Sequence, residues 1–282
     1  MAMNPLVSTD WLQEHLSDTK LRVVDIRGHV LPASEPPPHY FNHRSDYDKS
    51  HIPGAVFVDW VHEITDPDDP RHAKIAKPER YATVMQRLGI TPATLVVAYD
   101  DAAGMFAARL WWSLNYYGHE NVVVLDGGWN KWVAEDRPIT AELPDIAPSH
   151  FVARPNPAIF RSIDQVADKI NTDTRLVDVR TPQEFDGVFA RAVRKGHIPS
   201  AVNFPRSEML TPEGSMLPAD ELRQRFSQLG IDDSTTEVIY YCNGGVSASY
   251  GLLALRVAGL NNGAVYDGSW KEWGNDETRP LE

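Results

Sequence analysis

Cys242 is the only cysteine in 282 residues, and its neighbours are those of a nucleophile. Before it, Val238 to Tyr241 is β-branched and aromatic, which predicts a short buried strand; after it, Ser247 to Ala258 is rich in Ala and Leu with serines available as caps, which predicts a helix. Gly244 and Gly245 lie between and allow backbone conformations that a side chain forbids. A strand, a thiol, a glycine loop and a helix start together aim backbone N–H groups at one sulfur, and those donors favour the thiolate. The expected cradle is Asn243, Gly244, Gly245, Val246, Ser247 and Ala248. A lone cysteine is more commonly a packing residue, but packing needs neither two glycines nor a helix start behind the sulfur. Cysteine phosphatases share this order and place an arginine six positions after the cysteine. Here that position is Ala248, and Asn243 to Ala248 contains no basic residue. Phosphate recognition wants a guanidinium fork, so phosphatase chemistry is disfavoured.

The chain is long enough for two domains. Its hydrophobic content of 42% and charged content of 23% are those of a globular protein, and a net charge of −12 disfavours a nucleic-acid surface. One cysteine allows no internal disulfide, which fits a reducing compartment. Met1 to Asp10 has no basic flank or apolar core of a signal peptide, and no apolar run is long enough to span a bilayer. A cytoplasmic protein without membrane or nucleic-acid partners is expected. The histidines are scattered and not spaced as ligands, so no metal and no cofactor is expected.

The elements that must position Cys242 occur twice. The first half reads as a capped helix start at Ser8 to His15, a strand at Leu21 to Arg27 and a proline-rich loop at Leu31 to Pro38. His51 to Phe57 leads into another strand, and Lys77 to Gly89 is a helix with Pro at its start and Gly at its stop. A strand at Leu95 to Tyr99, a helix at Ala102 to Tyr116, a strand at Val122 to Leu125 and a turn or helix from Asp126 to Trp132 complete it. The second half repeats the order: Leu176-Val-Asp-Val-Arg180 echoes Val23 to Arg27, His197-Ile-Pro-Ser-Ala-Val202 echoes His51 to Val56, Gln228 to Ile231 echoes Arg87 to Ile90, and Tyr266 to Trp273 echoes Leu125 to Trp132. Four matched blocks in one order indicate an internal duplication. Alternating strands and helices predict, in each half, an α/β domain with a mostly parallel sheet and helices on both faces. The expected domains are 1–136 and 158–282, joined by a proline-rich linker at 137–157. Where the second half has Tyr241-Cys242 the first has Tyr99-Asp100, so one half is expected to work and the other to support it.

The repeated Val-Asp-Ile/Val-Arg and His-Ile-Pro-Gly/Ser-Ala blocks, the Cys242 loop and Asp267-Gly-Ser-Trp-Lys-Glu-Trp-Gly274 together resemble the tandem-rhodanese sulfurtransferases over nearly the whole chain. The resemblance implies an inactive N-terminal and a catalytic C-terminal rhodanese-like domain. It also implies a relay in which Cys242 takes sulfane sulfur from 3-mercaptopyruvate or thiosulfate as a persulfide and passes it to cyanide, a thiol or thioredoxin. A sulfur carrier with little turnover of small donors would use the same residues.

Thiosulfate-preferring members carry Arg and Lys in the loop after the cysteine, whereas 3-mercaptopyruvate enzymes carry a small neutral one. Cys-Asn-Gly-Gly-Val-Ser-Ala resembles the second group, although Gly244 replaces its serine and Phe185-Asp186-Gly187 replaces its Phe-Arg-Gly. Arg191 and Arg194 follow in the same loop and are the expected substrate-binding pair. His72 is the nearest match to a first-domain histidine of that group, and its reading is a loop histidine. His51 and His197 are expected to be structural, and the tryptophans to pack.

Overall fold

A computed structural model describes residues 4–71 and 73–282. The chain divides into two compact units. The first comprises Met1–Asp68, Ile75–Asn156 and Pro212–Ser215; the second comprises Asp69–Lys74, Pro157–Thr211 and Met216–Glu282.

In the first unit the elements run β1 (Leu6–Val7), α1 (Thr9–His15), β2 (Leu21–Asp25), β3 (Gly28–Val30), β4 (Tyr40–Asn42), α2 (Arg44–Lys49), β5 (Val56–Phe57), α3 (Pro78–Arg87), β6 (Leu95–Tyr99), α4 (Met105–Tyr116), β7 (Val122–Leu125) and α5 (Gly128–Ala134). A parallel sheet of order β1-β7-β6-β2-β5 forms the centre, with most of its apolar residues buried, as suits an all-parallel sheet. The second unit runs β8 (Phe160–Arg161), α6 (Ile163–Ala167), β9 (Arg175–Asp178), α7 (Pro182–Phe185), β10 (Val202–Asn203), α8 (Ala219–Gln228), β11 (Val238–Tyr241), α9 (Val246–Val257), β12 (Gly263–Tyr266) and α10 (Ser269–Trp273). Its sheet order, β10-β9-β11-β12-β8, is that of the first unit strand for strand. The duplication legible in the sequence is a duplication of topology.

Several boundaries move for local reasons. β2 stops at Asp25 because the Asp25 carboxylate turns back to accept the Arg27 N–H at 3.0 Å. α4 starts at Met105, not Ala102, because the Ala102 and Gly104 N–H groups bond the Asp100 side chain. The proline-rich loop joins an antiparallel ribbon of β3 and β4 that periodicity alone does not reveal in three-residue strands. The segment 137–156 is fastened to the first unit: Ser149 donates to Gln86, Arg154 to Tyr117 and Asn156 to Tyr116 through backbone bonds, and Phe151 is buried. Trp112, Trp132, Trp270 and Trp273 are fully buried packing residues.

Candidate active site

At the C-terminal end of the second sheet, β9 and β11 lie side by side with Tyr241 opposite Asp178. The buried Asp178 carboxylate accepts the Arg180 backbone N–H at 2.9 Å and its Nε–H at 3.0 and 2.9 Å, while Arg180 Nη2 also donates to the Gly196 carbonyl at 2.9 Å. Burial pushes the Asp178 carboxyl up, and Arg180 and the Tyr241 hydroxyl oppose the shift. Tyr241 Oη accepts the Ile198 N–H at 3.2 Å, and the Arg180 guanidinium lies 4.6 Å over the Trp270 ring. The Asp-x-Arg, His-Ile-Pro, Tyr-Cys and Ser-Trp blocks thus knot together beneath the point where Cys242 leaves the strand. Removing one partner of such a buried pair costs about 3–5 kcal/mol. The first unit ties the same knot with Asp25, Arg27, Tyr99 and Ile52, and Arg27 lies 4.2 Å over Trp129.

Cys242 is 4% exposed, follows β11 directly, and precedes α9, whose N-cap Gly245 takes φ +80°, a left-handed conformation costly for any other residue. Ser269, fully buried, organises the loop. Its Oγ accepts the N–H of Cys242 at 3.1 Å and of Gly245 at 3.0 Å, and donates to the Tyr266 carbonyl at 2.7 Å. From the same short helix, Trp270 N–H donates to the Cys242 carbonyl and Lys271 N–H to the Asn243 carbonyl, both at 2.9 Å. The Asn243 side chain donates to buried Glu184 at 2.8 Å. One of the amides expected to face the sulfur, that of Gly245, is therefore engaged by Ser269. The first unit shows what the others can do. There the Asp100 carboxylate accepts N–H bonds from Ala102, Gly104, Phe106 and Ala107 at 2.7–2.9 Å. Counted from the left-handed N-cap glycine, Ser247 and Ala248 hold the register of Phe106 and Ala107. This strand–loop–helix turn is an anion cradle, filled by a fixed carboxylate in one unit and carrying a thiol in the other.

The loop has no basic residue, yet cations stand beside it. Lys271 is 9% exposed, its Nζ donates to the Arg71 carbonyl at 2.9 Å, and its Cδ lies 3.8 Å from where a Cβ on Gly244 would sit. Burial lowers its pKa to about 8, with Arg191 lowering it further and Cys242 opposing. Arg71 is held by Asp69 and Glu272. A Cβ on Gly244 would also come 2.8 Å from the Ala73 Cβ, so Ala73 packs against the loop closely enough to exclude a side chain there.

A rhodanese-like domain matches twice, over residues 8–135 and 162–276. The chain belongs to the rhodanese family. Its similarity to curated rhodaneses runs end to end. It is 36% identical to the sulfur carrier protein TtuD of Thermus thermophilus over 96% of this chain and 93% of that protein. It is 35% identical to the thiosulfate sulfurtransferase of Gallus gallus, over 95% and 92% of the two chains. It is 31% identical to the 3-mercaptopyruvate sulfurtransferase of Escherichia coli over 100% and 99%. Among solved structures, the rhodanese fold of SseA from Escherichia coli superposes with a TM-score of 0.83 at 30% identity, covering 95% of this chain and 99% of that one.

In this rhodanese the two expected substrate arginines part company. Arg194 is committed to the C-terminal segment: Nη2 donates to the Trp273 carbonyl at 2.8 Å, Nη1 to the Arg279 carbonyl at 2.8 Å and Nε to the Gly274 carbonyl at 3.3 Å. The substrate-binding assignment of Arg194 is corrected on that ground, since its guanidinium is a structural clip. Arg191 bears on Lys271 and lowers its pKa. Asp186, in the register of the family's arginine, is exposed. His51 Nδ1 bonds the Tyr47 carbonyl at 2.8 Å and His197 Nδ1 the Phe185 carbonyl at 3.0 Å, both structural as expected. His72 lies outside the described residues. Sequence reasoning missed Ser269, Lys271 and Glu184. The first two sit in the quoted Asp-Gly-Ser-Trp-Lys-Glu-Trp block, whose serine and lysine types were the available signal. Among the described residues no group of three or more His, Cys, Asp or Glu side chains could hold a metal ion, and no helix is long and apolar enough to cross a membrane.

Proposed function

We propose that this rhodanese is a sulfurtransferase whose second domain carries sulfane sulfur on Cys242 between a small anionic donor and a thiophilic acceptor. The observation that carries the reading is the paired cradle: four N–H bonds to Asp100 in one unit, and the sole thiol of the chain at that register in the other. With thiosulfate, the Cys242 thiolate attacks the outer sulfur, the S–S bond of the donor breaks, and sulfite leaves with the electron pair. With 3-mercaptopyruvate the C–S bond breaks, and the enolate left behind takes a proton to become pyruvate. The acceptor then attacks the outer sulfur of the persulfide; cyanide leaves as thiocyanate and Cys242 returns as thiolate. Amides at the start of α9 steady the negative sulfur in both states.

The neutral loop favours 3-mercaptopyruvate, whose single carboxylate needs one cation. Lys271 and Arg191 nevertheless give thiosulfate's two charges a counterpart, so both donors fit. A protein thiol such as reduced thioredoxin in a reducing cytoplasm is the acceptor that suits a site with one cysteine. The similarity to a sulfur carrier supports a second reading, in which Cys242 loads once and waits for a protein partner. Steady-state assays with each donor, scored for sulfite or pyruvate and thiocyanate, separate them. Multiple turnovers are expected; one equivalent of product per chain and no more would favour the carrier.

A further inference from the structure

We infer that Lys271 is the anion-recognition residue of this site, holding, with Arg191, the negative end of the sulfur donor beside Cys242. The inference rests on the sulfur-transfer reading above. Lys271 is held at the loop from both ends, its backbone N–H on the Asn243 carbonyl at 2.9 Å and its ammonium on the Arg71 carbonyl at 2.9 Å. Among the charges that bear on it are the like charge of Arg191 and the Cys242 sulfur. Glu272 and Asp69 pair with Arg71, and Glu184 accepts from Asn243. A buried cation fixed at the loop that carries the nucleophile, in a place costly for charge, forms a receptor for an incoming anion.

The duplication supplies an internal control. In the first unit the register of Lys271 is occupied by Asn130, a neutral residue whose amide donates to the Asp101 carbonyl at 3.2 Å. That unit already holds its anion, Asp100, and receives none. Cation and thiol appear together in the second unit and are absent together from the corresponding positions of the first. With a pKa of about 8, Lys271 is charged at neutral pH and loses its charge just above it, so its role is open to titration.

The test follows single-turnover loading of Cys242 by thiosulfate, read by intact mass at a series of donor concentrations between about pH 6.5 and 9.5. Wild type, Lys271→Met and Lys271→Arg are compared. Thiosulfate keeps both charges over this range. In wild type the donor concentration for half-maximal loading should rise as pH passes about 8 and Lys271 loses its proton. Lys271→Arg, whose guanidinium stays charged, should lack that rise. Lys271→Met should need on the order of tenfold to a hundredfold more thiosulfate at neutral pH. Alkylation by iodoacetamide, a neutral electrophile, reports folding and thiol reactivity in the same samples; because Lys271 and the Cys242 sulfur bear on each other it should slow, but far less than thiosulfate loading. Equal loss of thiosulfate loading and alkylation in Lys271→Met would overturn the inference, because Lys271 would then act on the sulfur and not on the donor. Loading of Lys271→Met indistinguishable from wild type would also overturn it. A wild type that never gains sulfur overturns the sulfur-transfer reading itself, and this inference with it.

Discussion

Removing the Ser269 hydroxyl should loosen the Cys242 loop without touching the thiol. Oγ accepts two buried N–H groups, from Cys242 and Gly245, at 3.1 and 3.0 Å. In Ser269→Ala both lose their acceptor in a place where Ser269 itself is 0% exposed. An unpaired buried donor costs about 1–3 kcal/mol, so the pair together is worth roughly 2–4 kcal/mol once the loop relaxes. The left-handed φ of +51° at position 269 is as unfavourable for Ala as for Ser, so backbone strain does not offset the loss. Hydrogen exchange at the Cys242 and Gly245 amides reads the effect directly. Exchange should speed by roughly 30- to 1,000-fold, the same free energy expressed as an opening equilibrium, and persulfide loading should slow. Unchanged protection at both amides would refute the role assigned to Ser269. Faster exchange throughout α9 and β11 would show a general loss of stability in place of a local one.

Gly244→Ala places a Cβ 2.8 Å from the Ala73 Cβ and should cost about 1–3 kcal/mol of overpacking; Ala73→Gly in the same chain should recover most of it, as thermal melts will show. Arg194→Ala removes four bonds to the carbonyls of Trp273, Gly274, Asp276 and Arg279, and should lower the melting temperature while leaving the KM of either donor within about twofold. Arg191→Ala should instead raise the KM for both donors, as steady-state assays will show. Lys271 has a folded pKa depressed to about 8, so its buried charge destabilises the protein fully below that pH, and the penalty lifts as pH rises towards the unfolded value near 10.5. Lys271→Met should therefore melt above wild type at pH 7, and the gap should close in alkali; a gap that widens would contradict the burial argument.

The duplication, the strand–loop–helix placement of Cys242 and the mostly parallel sheets were legible because each depends on local pattern: a buried four-residue strand, two glycines, an Ala/Leu helix. The repeated Asp-x-Arg and His-Ile-Pro blocks were visible as repeats, but not as a knot. Asp178, Tyr241 and Ile198 meet only once the parallel pairing brings distant segments together. Ser269 was hidden for the same reason, since it serves an amide 27 residues away. Lys271 was hidden too, because periodicity over five residues does not say which side of a short helix faces the loop. Arg194 and Arg191 are alike in sequence; the carbonyls of the last turn and tail, all C-terminal to Trp270, decide which is a clip. The ribbon of β3 and β4 escaped notice because strands of three residues carry too few alternations to read.

A persulfide on Cys242 is tested most directly by intact-mass spectrometry of wild type and Cys242→Ser after exposure to thiosulfate or 3-mercaptopyruvate. Wild type should gain the mass of one sulfur atom and lose it on addition of cyanide, with one equivalent of thiocyanate released. Cys242→Ser should melt like wild type and gain nothing. Sulfur transfer by Cys242→Ser, or full turnover by a wild type that never gains that mass, would contradict the covalent relay.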